Sequence, residues 1–163
     1  MRRVLVIAIG LIITQSLSYA QDGPQPIVDN EMKVQFTPPE GWQATKKDIG
    51  YVMGSDHTEG FMLLKVQDFK SIKKLKAAME AGVEQEDGSI LKPTGDLTLL
   101  GDQGVSGMYS GTIDETEMTG FLMALLPPSK RMAVICISVA PQSNFNQSNI
   151  DQLKMLLRSV IFL

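Results

Sequence analysis

Residues 105–140 are VSGMYSGTIDETEMTGFLMALLPPSKRMAVICISVA, and this stretch decides the fold. Its apolar side chains concentrate in three segments, residues 105–113, 118–126 and 132–140, and each predicts a strand. The connections at 114–117 and 127–130 have the length and turn-forming composition of hairpin loops. Because strands joined by such short loops are antiparallel neighbours, the stretch predicts a meander.

The meander extends toward the N-terminus, where residues 96–100 predict another strand and residues 101–104 a turn. Gly107 and Gly111 fall inside the strand that follows. Because glycine weakens a strand, its presence there indicates a bend, a bulge or the close approach of another element. We expect a helix to pack against both glycines.

Cys136 is the single cysteine of the chain, so no internal disulfide can form. It lies in the apolar run 132–140, which predicts a strand covered on both faces. A buried, unreactive thiol is therefore expected. An intermolecular disulfide and a reactive thiol are the alternatives.

Three further strands are predicted before the meander, at residues 32–36, 49–53 and 60–69. Gly23, Pro24 and Pro26 suggest that residues 21–31 form a flexible leader, so one domain is expected over residues 32–163.

Two amphipathic helices complete the predicted elements. The first begins after Ser71, carries apolar side chains at positions 72, 75, 79 and 83, and ends near Gly82. The second begins after Pro141, with Asn144 or Ser148 as its cap. The predicted fold class is therefore α+β, an antiparallel sheet flanked by helices.

Residues 1–20 have the pattern of a signal peptide, with Arg2 and Arg3, a short apolar run and small residues before Gln21. An uncleaved anchor is the weaker alternative because a spanning helix needs about 20 apolar residues, and the run 4–13 is shorter. We expect export to the periplasm or the cell exterior, with no membrane span after cleavage.

Loss of this segment changes the net charge from −3 to −5 because both arginines leave with it. An acidic domain lacks the basic face that nucleic acid or anionic lipid would require, so neither is an expected partner.

His57 is the only histidine of the chain, and no serine or cysteine lies in a recognisable nucleophile motif. We therefore predict a protein that is not an enzyme and that holds no cofactor. Asp56, His57 and Glu59, with Asp48 as a further candidate, could provide ligands for zinc or manganese. The alternative is an ordinary polar turn.

Lys73, Lys74 and Lys76 lie near the N-terminus of the first predicted helix, where positive charge opposes the helix dipole. These three lysines are candidate partner-binding residues. A solvated surface with arbitrary charge order is the alternative.

The segments FTPPEGW at residues 36–42 and LLRSVIF at residues 156–162, with the order of elements, resemble the PsbP-like family. That family includes exported DcrB-type proteins and a cytosolic Ran-binding factor. The resemblance implies an α/β/α sandwich with a non-enzymatic binding or assembly role, and it carries over no functional residue. Predicted export argues against the Ran-binding role.

The predicted function is that of an exported, non-catalytic binding or assembly protein that contacts an envelope or secreted protein. The alternative is a carrier of a small ligand or metal centred on His57. A hydrolase that uses carboxylates alone ranks last.

Overall fold

The computed structural model describes residues 23–85 and 87–163; the predicted signal peptide lies outside this part of the chain. The N-terminal half contains β1 (Ile27–Asp29), β2 (Val34–Phe36), β3 (Trp42–Lys47), β4 (Gly50–Ser55), β5 (Thr58–Asp68), α1 (Ile72–Ala81) and β6 (Val83–Glu84). The C-terminal half contains β7 (Ile90–Pro93), β8 (Thr98–Leu99), β9 (Gly104–Ile113), β10 (Thr116–Leu125), β11 (Met132–Pro141), α2 (Gln147–Arg158) and β12 (Ile161–Phe162).

The main sheet is antiparallel and has the strand order β3-β4-β5-β11-β10-β9-β7-β6, with β8 also paired to β9. The predicted meander is confirmed, because β9 pairs with β10 and β10 pairs with β11. Strand β11 then pairs with β5, where Ile137 lies opposite Leu63. Strands β5 and β11 therefore join the two halves of the chain at the middle of the sheet.

The side chains of β11 alternate between two cores, one on each face of the sheet. Ile135 and Ile137 belong to the core that contains Leu75 and Met79 of α1. Cys136 belongs to the opposite core, which contains Leu153 and Leu156 of α2 together with Val34 and Phe36 of β2. Burial on both faces explains the continuous apolar run, and the thiol is fully buried as expected.

The predicted ends of α1 are confirmed. Ser71 Oγ accepts a hydrogen bond from the N–H of Lys74 at 3.3 Å, and the N–H of Gly82 donates to Met79 O at 3.2 Å. Gly82 has a φ of 114°, which favours glycine.

The cap of α2 is Asn146, so both candidate caps, Asn144 and Ser148, were wrong. Asn146 Oδ1 accepts a hydrogen bond from the N–H of Ser148 at 2.8 Å. The side chain of Asn149 is buried, and its Oδ1 accepts from the N–H of Asn146 at 2.9 Å. These reciprocal bonds fix the start of the helix, whereas Asn144 lies in the preceding turn.

Strand β1 lies inside the stretch that was predicted to be a flexible leader. It pairs with β2, which also pairs with β12, so that Gln35 lies opposite both Val28 and Ile161. The packed domain therefore begins before residue 32. The proline-rich composition of residues 21–31 obscured this short strand, which is held by pairing and by the buried side chain of Asp29.

Leucine side chains lie nearest to Gly107 and Gly111, so the predicted helix contact with these glycines was wrong. A Cβ at Gly107 would lie 2.5 Å from Leu97 Cδ2, and one at Gly111 would lie 2.7 Å from Leu91 Cδ2. Leu91 belongs to β7 and Leu97 to the loop before β8.

In the described part of the chain, no helix is long and apolar enough to cross a membrane.

Candidate binding cleft

A cleft of about 240 Å³ opens on the α1 side of the main sheet. It is lined by side chains from the β3–β4 turn, β4, β5, the loop after β6 and the tip of the β9–β10 hairpin: Ile49, Val52, Phe61, Leu63, Gln85, Asp87, Ile113 and Asp114. The apolar members of this set contact the same core as α1, yet Ile49, Val52, Phe61 and Ile113 remain partly exposed. The sheet thus extends beyond the area that the helix covers, and its apolar surface forms the floor of the cleft.

One side of the cleft is formed by the loop that follows β6. The N–H of Gln85 donates to Ser89 O at 2.8 Å, and Gln85 Nε2 donates to Val83 O at 3.0 Å. The carboxylate of Asp87 accepts hydrogen bonds from the hydroxyl and the N–H of Ser89, at 2.6 and 3.0 Å. These bonds hold the pKa of Asp87 below its ordinary value, so the group is ionised at neutral pH.

The other side is formed by the turn between β9 and β10. Asp114 and Glu115 occupy the turn with φ values of 46° and 64°, and Ile113 pairs with Thr116. Two successive residues with positive φ are the signature of a type I′ hairpin turn, whose twist matches that of the flanking strands. The turn places Asp114 at the rim of the cleft.

Lys65 lies two residues beyond Leu63 on the same face of β5. Burial lowers the pKa of Lys65, while the nearby carboxylate of Glu84 favours its charged form. Its positive charge is therefore partly compensated within the molecule.

An open sheet face adjoins the cleft, and Val52 lines both surfaces. This open face consists of Gly41, Gln43, Thr45, Lys47, Gly54, Ser55, Asp56 and Gly60 in addition to Val52. A Cβ added at Gly54 would meet no atom within 4 Å, which shows how little covers this part of the sheet.

The three predicted metal ligands occupy the turn between β4 and β5 and the start of β5. The N–H of His57 donates to Ser55 Oγ at 3.2 Å, and the carboxylate of Glu59 accepts a hydrogen bond from Asn144 Nδ2. Asp48 lies before β4 and so at the opposite end of that strand from His57.

Across residues 23–85 and 87–163, no three His, Cys, Asp or Glu side chains are grouped so that they could hold a metal ion. Metal binding by Asp56, His57 and Glu59 stays a prediction. Calorimetry with zinc, manganese and copper on the wild-type and His57→Ala proteins tests it, and equal binding by both would exclude the site.

The three predicted partner-binding lysines lie in the first half of α1. Lys73 and Lys74 are exposed, whereas Lys76 forms an ion pair with Glu80 one turn further along. The cleft borders the segment that follows the other end of the helix. The structure therefore does not bring the lysines into the lining of the cleft.

Sequence reasoning did not identify the cleft. The pattern at residues 60–69 predicts a strand but does not indicate that Phe61 stays partly exposed. The proximity of Asp87 and Asp114 depends on the strand order, for which the sequence carries no local signal.

The fold has counterparts among solved structures. A Bacteroides thetaiotaomicron VPI-5482 protein, solved by crystallography at 1.50 Å, matches over 86% of this chain and 48% of its own, with 9% identity and a TM-score of 0.58. The chain thus spans about half the length of that protein.

Cyanobacterial PsbP (CyanoP) from Synechocystis sp. PCC 6803 matches over 85% of this chain and 92% of its own, with 6% identity and a TM-score of 0.51. LpqN, which is involved in cell envelope biogenesis of Mycobacterium tuberculosis, matches over 86% of both chains, with 11% identity and a TM-score of 0.48.

No protein-family model and no curated protein sequence matches the chain. At these low identities the structural likeness concerns the fold alone, and the narrower DcrB-type assignment stays a prediction. The chain has an α+β, PsbP-like fold, as predicted.

Proposed function

We propose that this protein is an exported, non-catalytic binding protein, and that it contacts an envelope or secreted protein through the cleft beside α1. The observation that carries the proposal is the group of partly exposed apolar side chains that line the cleft. An apolar depression bordered by polar residues can receive an anchoring side chain of a protein partner.

The size of the cleft favours a side chain of a partner over a free ligand. Pockets that enclose drug-sized molecules or cofactors have volumes of about 300–1,000 Å³. The volume here, about 240 Å³, is below that range. A leucine or phenylalanine side chain presented by another protein would fit such a depression and act as an anchor.

Energetics require a contact larger than the cleft. Burial of one large apolar side chain contributes about 1.5–3 kcal/mol, whereas a dissociation constant of about 1 μM corresponds to roughly 8 kcal/mol. The open face that shares Val52 with the cleft is the natural place for the remaining contacts. Its flat, polar and glycine-containing surface suits the rim of an interface.

Site-specific cross-linking in the native cell tests this function. A photoreactive phenylalanine analogue replaces Phe61 in the cleft, and the same analogue replaces Met108 in a second strain as a control. Met108 is partly exposed and pairs with Phe121, which contacts the opposite core. We expect a specific protein adduct in the periplasmic or secreted fraction for position 61 and none for position 108. Equal labelling at both positions, or no adduct at position 61, would contradict the proposal.

A pair of valine substitutions tests the contribution of the cleft. Val52→Thr keeps the shape of the side chain but adds a hydroxyl to the cleft, and Val28→Thr makes the same change on the exposed face of β1. We expect a severalfold lower yield of the cross-linked partner for Val52→Thr and an unchanged yield for Val28→Thr, because only Val52→Thr alters the contact surface.

A variant with alanine at Lys73, Lys74 and Lys76 tests the earlier hypothesis about α1. If this variant forms no cross-linked adduct while Val52→Thr still forms one, the contact face lies on the helix and not in the cleft.

A further inference from the structure

We infer that the cleft accepts an apolar side chain that is flanked in the partner's sequence by lysine or arginine. This inference rests on the proposed function and specifies the chemistry of the partner. It combines the apolar floor of the cleft with two carboxylates that come from separate parts of the chain, at its rim.

Asp87 and Asp114 are the charged members of the lining in the described part of the chain. Asp87 is held by Ser89, and Asp114 is held by the type I′ turn. The hydrogen bonds fix the Asp87 carboxylate and the turn fixes the backbone of Asp114, so both residues lie beside the apolar floor. A partner that covers the floor must approach both carboxylates.

The sign of the rim charges selects the partner. A neutral or acidic segment would remove water from two carboxylates without replacing the lost interactions, and an acidic one would add repulsion. A lysine or arginine next to the anchoring side chain offsets this cost, and its aliphatic stem can cover apolar surface such as Ile113. The net charge of the chain, −3, favours the same kind of partner at longer range.

Fluorescence polarisation with four labelled peptides tests the inference on the whole protein. One peptide has a central leucine flanked by lysines. The second replaces the leucine with serine, the third replaces the lysines with glutamates, and the fourth replaces the lysines with serines. We expect the leucine and lysine peptide to bind at least ten times more tightly than each of the others.

The protein variant for this test is Asp87→Asn with Asp114→Asn. Asparagine keeps an acceptor oxygen for the two hydrogen bonds from Ser89, and it tolerates the positive φ of residue 114. The control variant, Glu40→Gln with Asp102→Asn, removes the same amount of charge at exposed positions outside the cleft.

We expect the cleft variant to bind the leucine and lysine peptide about tenfold more weakly and with less dependence on salt, because two rim charges are lost. The control variant should bind it as the wild type does. Equal loss of affinity in both variants would mean that only the net charge matters, and it would overturn the inference. Equal binding of the lysine-flanked and serine-flanked peptides would also overturn it, and so would the absence of any binding.

The two proposals fail separately. An adduct at position 61 combined with no preference for the lysine peptide retains the proposed function and removes the inferred partner chemistry. No adduct at position 61 removes the proposed function whatever the peptides show.

Discussion

Asp29 lies in the small sheet, which consists of β1, β2 and β12, and accepts four hydrogen bonds, two of which connect this sheet to the main sheet. Its Oδ1 accepts from the N–H groups of Glu31 and Met32, at 2.9 and 2.8 Å. Its Oδ2 accepts from the hydroxyl of Tyr51 at 2.8 Å and from Lys46 Nζ at 2.9 Å. The N–H of Met32, followed by Lys46, lowers the pKa of Asp29 from 3.8 to about 2.

The stability of the protein should therefore fall in acid. Because the pKa of Asp29 is lower in the folded chain than in the unfolded chain, its contribution is complete above its ordinary value of 3.8 and is lost as the pH falls towards about 2. After allowance for solvent screening, we expect a loss of about 1–2 kcal/mol over this window. Urea unfolding at a series of pH values measures it.

The Asp29→Asn variant isolates this effect. It removes the charge that Lys46 and Tyr51 face, so we expect a loss of about 1–3 kcal/mol at pH 7. Its unfolding free energy should also change less than that of the wild type between pH 4 and pH 2. The exposed substitution Asp102→Asn is the control; a similar acid dependence in both variants would contradict the assignment to Asp29.

Ser138 presents the opposite case, a buried polar group without compensation. Its Oγ lies in the middle of β11 and has no hydrogen-bond partner among the described residues. We expect Ser138→Ala to increase the free energy of unfolding by up to about 1 kcal/mol, because a buried hydroxyl without a partner costs free energy. Chemical denaturation measures the change, and a clear loss of stability would show that the hydroxyl has a partner in solution.

The β9–β10 turn shows how an element can carry strain at the candidate site. A type I′ turn favours glycine at its second central position, where this chain has Glu115 with a φ of 64°. We expect Glu115→Gly to stabilise the protein by about 1 kcal/mol, because glycine adopts this conformation without steric cost. Thermal unfolding should show a higher midpoint.

Glu117→Gly is the control for this turn because residue 117 lies in β10. Glycine within a strand should lower the unfolding midpoint. A decrease for Glu115→Gly as well would mean that its side chain makes a favourable contact.

The elements differ in how far their sequences predict them. The strands of the meander and α1 follow from local patterns, since alternation, short turns and the Ser71 and Gly82 caps each act within a few residues. Strand β1 has no such pattern, because its three residues are held by pairing with β2 and by the bonds of Asp29. The glycine contacts with Leu91 and Leu97 depend on tertiary packing in the same way.

The candidate site was even less predictable than the short strands. Phe61 and Ile113 belong to strands that the sequence predicts, but their exposure depends on how far α1 extends over the sheet. Asp87 and Asp114 are 27 positions apart in the sequence. Only the pairing of the strands brings their turns to the same cleft.

At the scale of the whole molecule, the small sheet and α2 cover one core while α1 covers the other.

A chain that starts at residue 27 should unfold at the same urea concentration as one that starts at residue 21, because residues 23–26 form no strand. A chain that starts at residue 30 should lose about 2–4 kcal/mol, since it lacks β1 and leaves Tyr51 and Lys46 without Asp29. Equal stability of all three chains would contradict a structural role for β1.

The position of Cys136 gives the protein a natural chemical reporter. Its thiol lies between Leu64 of β5 and Met123 of β10 in the strand register, and burial raises its pKa. Alkylating reagents attack the thiolate, so iodoacetamide should react only after these central strands separate. The rate of alkylation would then measure the free energy of global opening under native conditions. A genuine partner should slow this reaction without touching the cysteine, because binding to the folded state alone makes opening rarer.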